Sequence, residues 1–140
     1  MAFRGIYEHT LDDRGRVAVP ARYRQEFAAG AVLTVGPEGC IEVYTQTGFD
    51  TMSDEFASEP ATTPSGRRAR RRFDAHSFDT DLDRQGRILV PARFRDVVGL
   101  DGPVIIAGRR ECLEIWSPAR WERELQESTA ASSSEQGPAG

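Results

Sequence analysis

Apolar residues along this chain cluster in short runs set off by turn formers, and the order of those runs occurs twice. Residues 6–11 read as a strand. Asp12-Asp13-Arg14-Gly15 is a tight turn, because an Asp side chain bonds its own backbone and Gly accepts a positive φ. Residues 16–19 resume the extended chain, and Pro20 opens a short helix over 21–29, at a position where a missing N–H costs nothing. Tyr23 and Phe27, four apart, share one face of that helix, and Gly30 stops it. A β-branched strand follows over 31–35, then a turn at Gly36-Pro37-Glu38-Gly39 and a returning strand over 40–44. Thr47 with Asp50 predicts the start of a helix that runs to about residue 56. Pro60 and Pro64 make 59–66 a linker.

The same order returns from residue 78. It comprises a strand over 78–82, the turn Asp83-Arg84-Gln85-Gly86, an extended segment over 87–90 and a helix between Pro91 and Gly99. Strands over 104–107 and 112–116 flank Gly108-Arg109-Arg110-Glu111, and Ser117-Pro118 starts a helix to about residue 127. Residues 128–140, mostly Ser, Ala and Gly with little to bury, read as a disordered tail.

The repetition extends to identities. Leu11-Asp12-Asp13-Arg14-Gly15-Arg16-Val17-Ala18-Val19-Pro20-Ala21-Arg22-Tyr23-Arg24 returns without a gap as Leu82-Asp83-Arg84-Gln85-Gly86-Arg87-Ile88-Leu89-Val90-Pro91-Ala92-Arg93-Phe94-Arg95, and nine of the 14 positions are identical. Cys40-Ile41-Glu42-Val43-Tyr44 likewise answers Cys112-Leu113-Glu114-Ile115-Trp116. A self-match this dense marks a duplicated unit. Neither hairpin buries a face by itself, and units of about 70 residues are marginal alone. The expectation is therefore an α+β fold in which two units interleave around one pseudo-two-fold, β-barrel-like core flanked by helices. The units span 1–58 and 75–127, with a linker and Arg-rich helix over 59–74 and a tail over 128–140.

Composition narrows the function. With 39% apolar and 29% charged residues the chain suits a soluble globular protein. Its longest apolar run, Val104-Ile105-Ile106-Ala107, is far short of a membrane span, and residues 1–10 carry no signal-peptide pattern. Cytoplasm is the default, with no membrane partner. Cys40 and Cys112 lack metal-ligand spacing, so no metal and no cofactor are expected. The net charge of −4 argues against a uniformly basic nucleic-acid binder. Its distribution reads differently: +2 over 1–24, −7 over 25–66, +5 over 67–95 and −4 over 96–140. Positive charge gathers in and beside the repeated motif, which allows a basic face on an acidic body. Every basic residue is Arg; Lys and Asn are both missing, as a GC-rich genome produces, so this bias carries no weight for DNA binding.

The motif itself supplies the candidate site. Asp12 and Arg16 stand four apart across the first turn, as Asp83 and Arg87 do across the second. In a scaffold reading the carboxylate caps the turn and holds the guanidinium. The doubling adds Arg22 and Arg24 in one half and Arg93 and Arg95 in the other, with Arg14 and Arg84 within the turns. A two-stranded ribbon fits a major groove roughly 12 Å wide. Arginines on such a ribbon reach guanine edges, and those at the helix starts hold phosphates. Asp12 and Asp83 would then orient the arginines, and Gly15 and Gly86 would shape the turns. No phosphate loop, nucleophile elbow or zinc spacing is present, so no catalytic residue is named and no enzyme is expected. The competing reading is an oligomeric assembly module in which the Asp–Arg pairs are structural. The run Arg67-Arg68-Ala69-Arg70-Arg71-Arg72 reads as a packing or inter-subunit helix that meets the acidic 25–66 region, with DNA phosphate as the other reading. Cys40 and Cys112 read as small buried hydrophobes, His9 and His76 as ordinary surface or edge residues, and Trp116 and Trp121 as core or interface.

The doubled Leu-Asp-x-x-Gly-Arg-x-x-Val-Pro, with Met1-Ala2-Phe3-Arg4-Gly5 at the start and Arg71-Arg72-Phe73 before the second copy, resembles the MraZ family of AbrB-like, looped-hinge transcription regulators. The resemblance covers about residues 1–127. It implies two AbrB-like swapped-hairpin units per chain and cytoplasmic, nucleoid-associated rings, octameric to dodecameric. It also implies double-stranded DNA as partner: direct repeats in the chain's own promoter, upstream of the division and cell-wall gene cluster, bound usually as a repressor. The family's DNA-contact motif falls on residues 12–16 and 83–87. Members often carry Lys in the turn, where this chain has Arg14 in one copy and Gln85 in the other.

Overall fold

Eight strands and five helices alternate along residues 2–135, the part of the chain that the computed structural model describes. In order they are β1 (Ile6–Thr10), β2 (Arg16–Ala18), a 3-10 helix (Ala21–Phe27), β3 (Ala31–Val35), β4 (Ile41–Thr45), α1 (Gln46–Phe56), α2 (Pro64–Arg70), β5 (Phe78–Thr80), β6 (Arg87–Leu89), α3 (Ala92–Val98), β7 (Pro103–Gly108), β8 (Leu113–Trp116) and α4 (Pro118–Glu135). A π-helical turn at Arg71–Ala75 extends α2. The α+β class and antiparallel pairing follow the sequence expectation.

Six strands form one sheet in the order β1-β7-β8-β4-β3-β5, and β2 pairs with β6 in a separate ribbon. The sheet order maps onto its own reverse when the halves are exchanged, which is the pseudo-two-fold. Only the hairpins β3–β4 and β7–β8 pair within a half; β1–β7, β4–β8, β3–β5 and β2–β6 all join one half to the other. Among the described residues the sheet does not close into the expected barrel-like core. β1 and β5 are the two edges of the sheet and do not pair with each other.

Alternation of side chains along the strands creates two packed faces. One face carries Leu33, Ile41, Val43, Ile106, Leu113 and Ile115 into the main core, together with Val17 and Ile88 from the ribbon and Phe27 and Phe94 from the helices. The opposite face is covered twice. Val32, Tyr44 and Cys112 pack with Phe49 of α1 and Phe73, whereas Cys40, Ala107 and Trp116 meet Trp121 of α4. Phe73 stacks on both Phe49 and Phe56, with centroids 4.8 and 4.7 Å away, so the arginine-rich segment is anchored on α1 through one aromatic ring.

Several local expectations change. The first short helix is a 3-10 helix ending at Phe27, held by bonds such as Tyr23 N–H to Pro20 O and Ala28 N–H to Gln25 O. Helix α1 is capped by Thr45, not Thr47: the Thr45 hydroxyl accepts from Gly48 N–H at 2.9 Å, which places Thr47 inside the first turn. Pro64 starts α2 rather than ending a linker, because Thr63 caps Gly66 N–H and proline fits the first helical position. Helix α4 continues through part of the expected tail to Glu135, since adding one residue to an existing helix is easy and Ala is the best helix former. Residues 136–140 lie outside the described residues.

Phe27 is fully buried and stacks on Phe3 at 5.4 Å. Phe27→Ala is expected to destabilise the protein by about 3–5 kcal/mol, measured as a lowered urea midpoint with an unchanged slope.

Candidate nucleic-acid interface

The two Asp–Arg turns have nearly the same geometry. Asp12 Oδ1 accepts the backbone N–H of Arg14 at 2.9 Å and of Arg16 at 2.8 Å, while Oδ2 accepts Arg16 Nε at 3.0 Å. Asp83 does the same for Gln85 and Arg87, at 2.9, 2.9 and 3.0 Å. Gly15 and Gly86 close the turns at φ +79° and +76°, the left-handed region that glycine enters without strain. The Arg16 amide, followed by the Arg14 amide and the Arg16 side chain, holds the Asp12 carboxyl below the ordinary carboxylate range. The Arg87 and Gln85 amides and the Arg87 guanidinium do so for Asp83.

The ribbon brings the turns together. In the β2–β6 pairing Val17 faces Ile88 and both point into the core, so Arg16, Ala18, Arg87 and Leu89 face outward. There each arginine reaches the other half's carboxylate: Arg87 Nη1 lies 3.2 Å from Asp12 Oδ2, and Arg16 Nη1 lies 3.8 Å from Asp83 Oδ2. The result is one four-membered cluster of alternating charge about the pseudo-two-fold, its side chains 26–31% exposed. Backbone bonds reinforce it, from Val19 N–H to Gly86 O at 2.9 Å and from Val90 N–H to Gly15 O at 2.8 Å.

The other candidate arginines surround this cluster. Arg24 and Arg95 each anchor Nε on a carbonyl of their own half, Val19 O and Val90 O, both at 3.0 Å. Their guanidinium groups then lie across the turn of the opposite half, Arg24 against Gly86 and Arg95 against Gly15. Arg22 and Arg93 are exposed beside Tyr23 and Phe94, with the guanidinium carbons 5.3 and 5.1 Å from the ring centroids. Arg14 and Arg84 are exposed at the turns. All eight arginines picked out in the sequence thus stand on or next to the ribbon and its turns. Interleaved units were expected, but the seating of Arg24 and Arg95 on the turn of the opposite half was not legible, because an internal repeat does not reveal which turn each arginine reaches.

The Arg67–Arg72 segment packs against α1 through Phe73, but among the described residues none of its arginines makes an ion pair with the acidic 25–66 region. Arg67 Nη1 and Arg70 Nη2 instead donate to Ala61 O and Glu59 O. Cys40 and Cys112 are buried and unpaired, and desolvation pushes both thiols up, Cys112 to about 12.

A second charged cluster was not anticipated. Glu42 and Glu114 face each other across β4 and β8 and are buried. Arg109 bridges them at 2.6 and 3.1 Å and donates to the Tyr44 hydroxyl, and Trp116 Nε1 donates to Glu114. Burial raises the Glu114 carboxyl above its ordinary value. The available signal was a Glu at the centre of each matched apolar strand, Ile41-Glu42-Val43 and Leu113-Glu114-Ile115.

Among the described residues no group of three or more His, Cys, Asp or Glu is placed to hold a metal ion, and no helix is long and apolar enough to cross a membrane. Comparison with known proteins places the chain. A family model described as "MraZ protein, putative antitoxin-like" matches residues 2–72 and 74–138, one stretch in each half. The chain belongs to the MraZ family. Relatives named "Transcriptional regulator MraZ" include that of Moorella thermoacetica, 39% identical over 127 residues, 91% of this chain and 89% of the relative. That of Roseiflexus castenholzii is 38% identical over 123 residues, 88% and 86% of the two chains. That of Kocuria rhizophila is 39% identical over 129 residues, 92% and 90% of the two. The family resemblance read from the doubled motif is therefore borne out, and in this MraZ-family chain the motif builds the charged cluster described above.

The depressed Asp12 and Asp83 carboxyls make a prediction with a definite sign. Their folded values lie below the unfolded value of about 3.9, so they contribute stability at neutral pH that is lost as pH falls through the folded values. Asp12→Asn with Asp83→Asn is expected to be less stable at pH 7 and to show a shallower fall in urea midpoint between about pH 5 and pH 2.

Proposed function

We propose that this chain is a DNA-binding transcriptional regulator that uses the outward face of the β2–β6 ribbon and its two turns. The observation that carries this reading is the gathering of Arg14, Arg16, Arg22, Arg24, Arg84, Arg87, Arg93 and Arg95 around one two-fold-related ribbon. A short ribbon suits the major groove, Arg recognises phosphate and guanine edges, and the names of the relatives point the same way. In this reading Asp12 and Asp83 orient the arginines, and Gly15 and Gly86 let the turns close.

The finer proposal follows the family resemblance. The chain acts in the cytoplasm at the nucleoid, as a repressor of the division and cell-wall gene cluster. It assembles as an octameric to dodecameric ring whose ribbons meet successive direct repeats in its own promoter. One ribbon offers few phosphate contacts, and several on one ring convert weak contacts into avidity. No enzymatic role is proposed. A second reading has the support of one observation: the Asp–Arg pairs are internally satisfied, as they would be in a purely structural assembly module.

Arg16→Ala with Arg87→Ala separates the two readings when particle mass and retention of the DNA upstream of the chain's own gene are measured together. Loss of at least tenfold in DNA affinity at unchanged mass is the expected result. Collapse of the particle mass favours the assembly module, and a wild-type protein that ignores this DNA at low ionic strength overturns the DNA-binding reading.

A further inference from the structure

We infer that Leu89 reads the C5-methyl group of a thymine in the major groove, and that its shorter counterpart Ala18 does not, which gives the ribbon one reading direction. The inference rests on the DNA-binding reading and names a specificity-determining residue within it.

The outward face of the β2–β6 ribbon carries two arginines and two apolar residues. Arg16 stands directly across from Leu89, and Ala18 directly across from Arg87. Exchange of the halves maps Arg16 onto Arg87 and Ala18 onto Leu89. Each guanidinium therefore has one apolar neighbour, with Cβ atoms about 5 Å apart across the strands. The arginines match between the halves, both held by Asp12 and Asp83. The apolar members do not match. One is a leucine, 40% exposed, and the other ends at its Cβ.

The fold does not call for that leucine. Contact between the ribbon and the core is made by Val17 and Ile88. Ala18 occupies the equivalent position in the same pairing, so a large side chain is not needed to hold the strands together. Exposed strand positions favour β-branched and aromatic residues, and leucine is neither. Among the described residues the other large apolar side chains that are exposed are Ile6, Val35, Phe56, Val97 and Leu125, and none of them is on the ribbon. Leu89 alone stands among the candidate arginines.

An apolar side chain in this setting has one complement on duplex DNA. The base edges of the major groove present hydrogen-bond donors and acceptors, and the thymine C5-methyl group is the apolar exception; the minor groove has no equivalent. Leucine laid against that methyl removes both from water. Leu89 reaches two bonds beyond Cβ. Ala18 sits on the same ribbon at the same depth and stops short of the base edge. The face thus distinguishes the two directions along a duplex, although its backbone is close to two-fold symmetric.

The test replaces each thymine in the DNA upstream of the chain's own gene, one at a time, by deoxyuridine and measures binding by the full-length protein. Deoxyuridine keeps the base pair and lacks only the methyl. The wild type is expected to lose about fourfold in affinity at one thymine per bound chain, on one side of the site centre, which corresponds to about 0.8 kcal/mol for one buried carbon. Leu89→Ala is expected to bind thymine and deoxyuridine DNA equally at that position, with the thermal midpoint and salt dependence of the wild type. Ala18→Leu is expected to add a second sensitive thymine on the opposite side of the centre. A wild type with no sensitive thymine, a Leu89→Ala protein that keeps the sensitivity, or an Ala18→Leu protein with the wild-type pattern overturns the inference. A wild type that does not bind the unmodified duplex at low ionic strength overturns the DNA-binding reading itself, so the unmodified duplex tells the two failures apart.

Discussion

The arrangement depends on one reciprocal contact: Asp12 and Asp83 each hold their own turn and the arginine of the opposite turn. A carboxylate that accepts two backbone N–H groups and one Nε has its geometry set on both oxygens. Adding Arg87 to Asp12 and Arg16 to Asp83 converts two local turns into one object. Each exposed ion pair alone contributes little, because solvent screens it. The effect lies in registry: four groups, four directed contacts and two backbone bonds allow a single relative placement of the halves.

That placement is supported from beneath. Four strand pairings cross between the halves, so neither half has a sheet of its own. At the sheet centre the pseudo-two-fold brings Glu42 opposite Glu114, an unfavourable pairing of like charges that Arg109 relieves. The corresponding position in the first half is Gly36, whose N–H bonds Cys40 O as that of Arg109 bonds Cys112 O, so symmetry is broken here: one guanidinium serves both carboxylates. Symmetry is broken again on the outer face. Ala18 corresponds to the exposed Leu89, and Asp13-Arg14 corresponds to Arg84-Gln85. The two turns are copies in backbone geometry and differ in the charge they present.

Much of this is legible in the sequence itself. The internal repeat located the turns, the glycines and the Asp–Arg spacing, because those features are local and their chemistry admits few alternatives. β-branched runs located β3, β4, β7 and β8 for the same reason. What could not be read was non-local. Interleaving of the halves was expected from their small size, but the repeat does not say which strand meets which, and that pairing decides that Arg24 lies on Gly86 rather than Gly15. Closure into a barrel requires β1 to meet β5, a matter of sheet curvature that no residue type announces. Thr45 and Thr47 are both acceptable caps in isolation; the end of β4 chooses between them. Glu42 and Glu114 were seen as parts of a matched strand, but their burial depends on α1 and α4 covering that face.

The most direct test of the reciprocal contact is amide hydrogen exchange, residue by residue, in Asp12→Ala against the wild type. Val90 is far from Asp12 in sequence, yet its N–H donates to Gly15 O in the turn that Asp12 organises. Faster exchange at Val90 together with Arg14 and Arg16, without global unfolding, is the predicted result. Faster exchange confined to Arg14 and Arg16, with Val90 protected as before, would show that the turns are independent and would contradict the account.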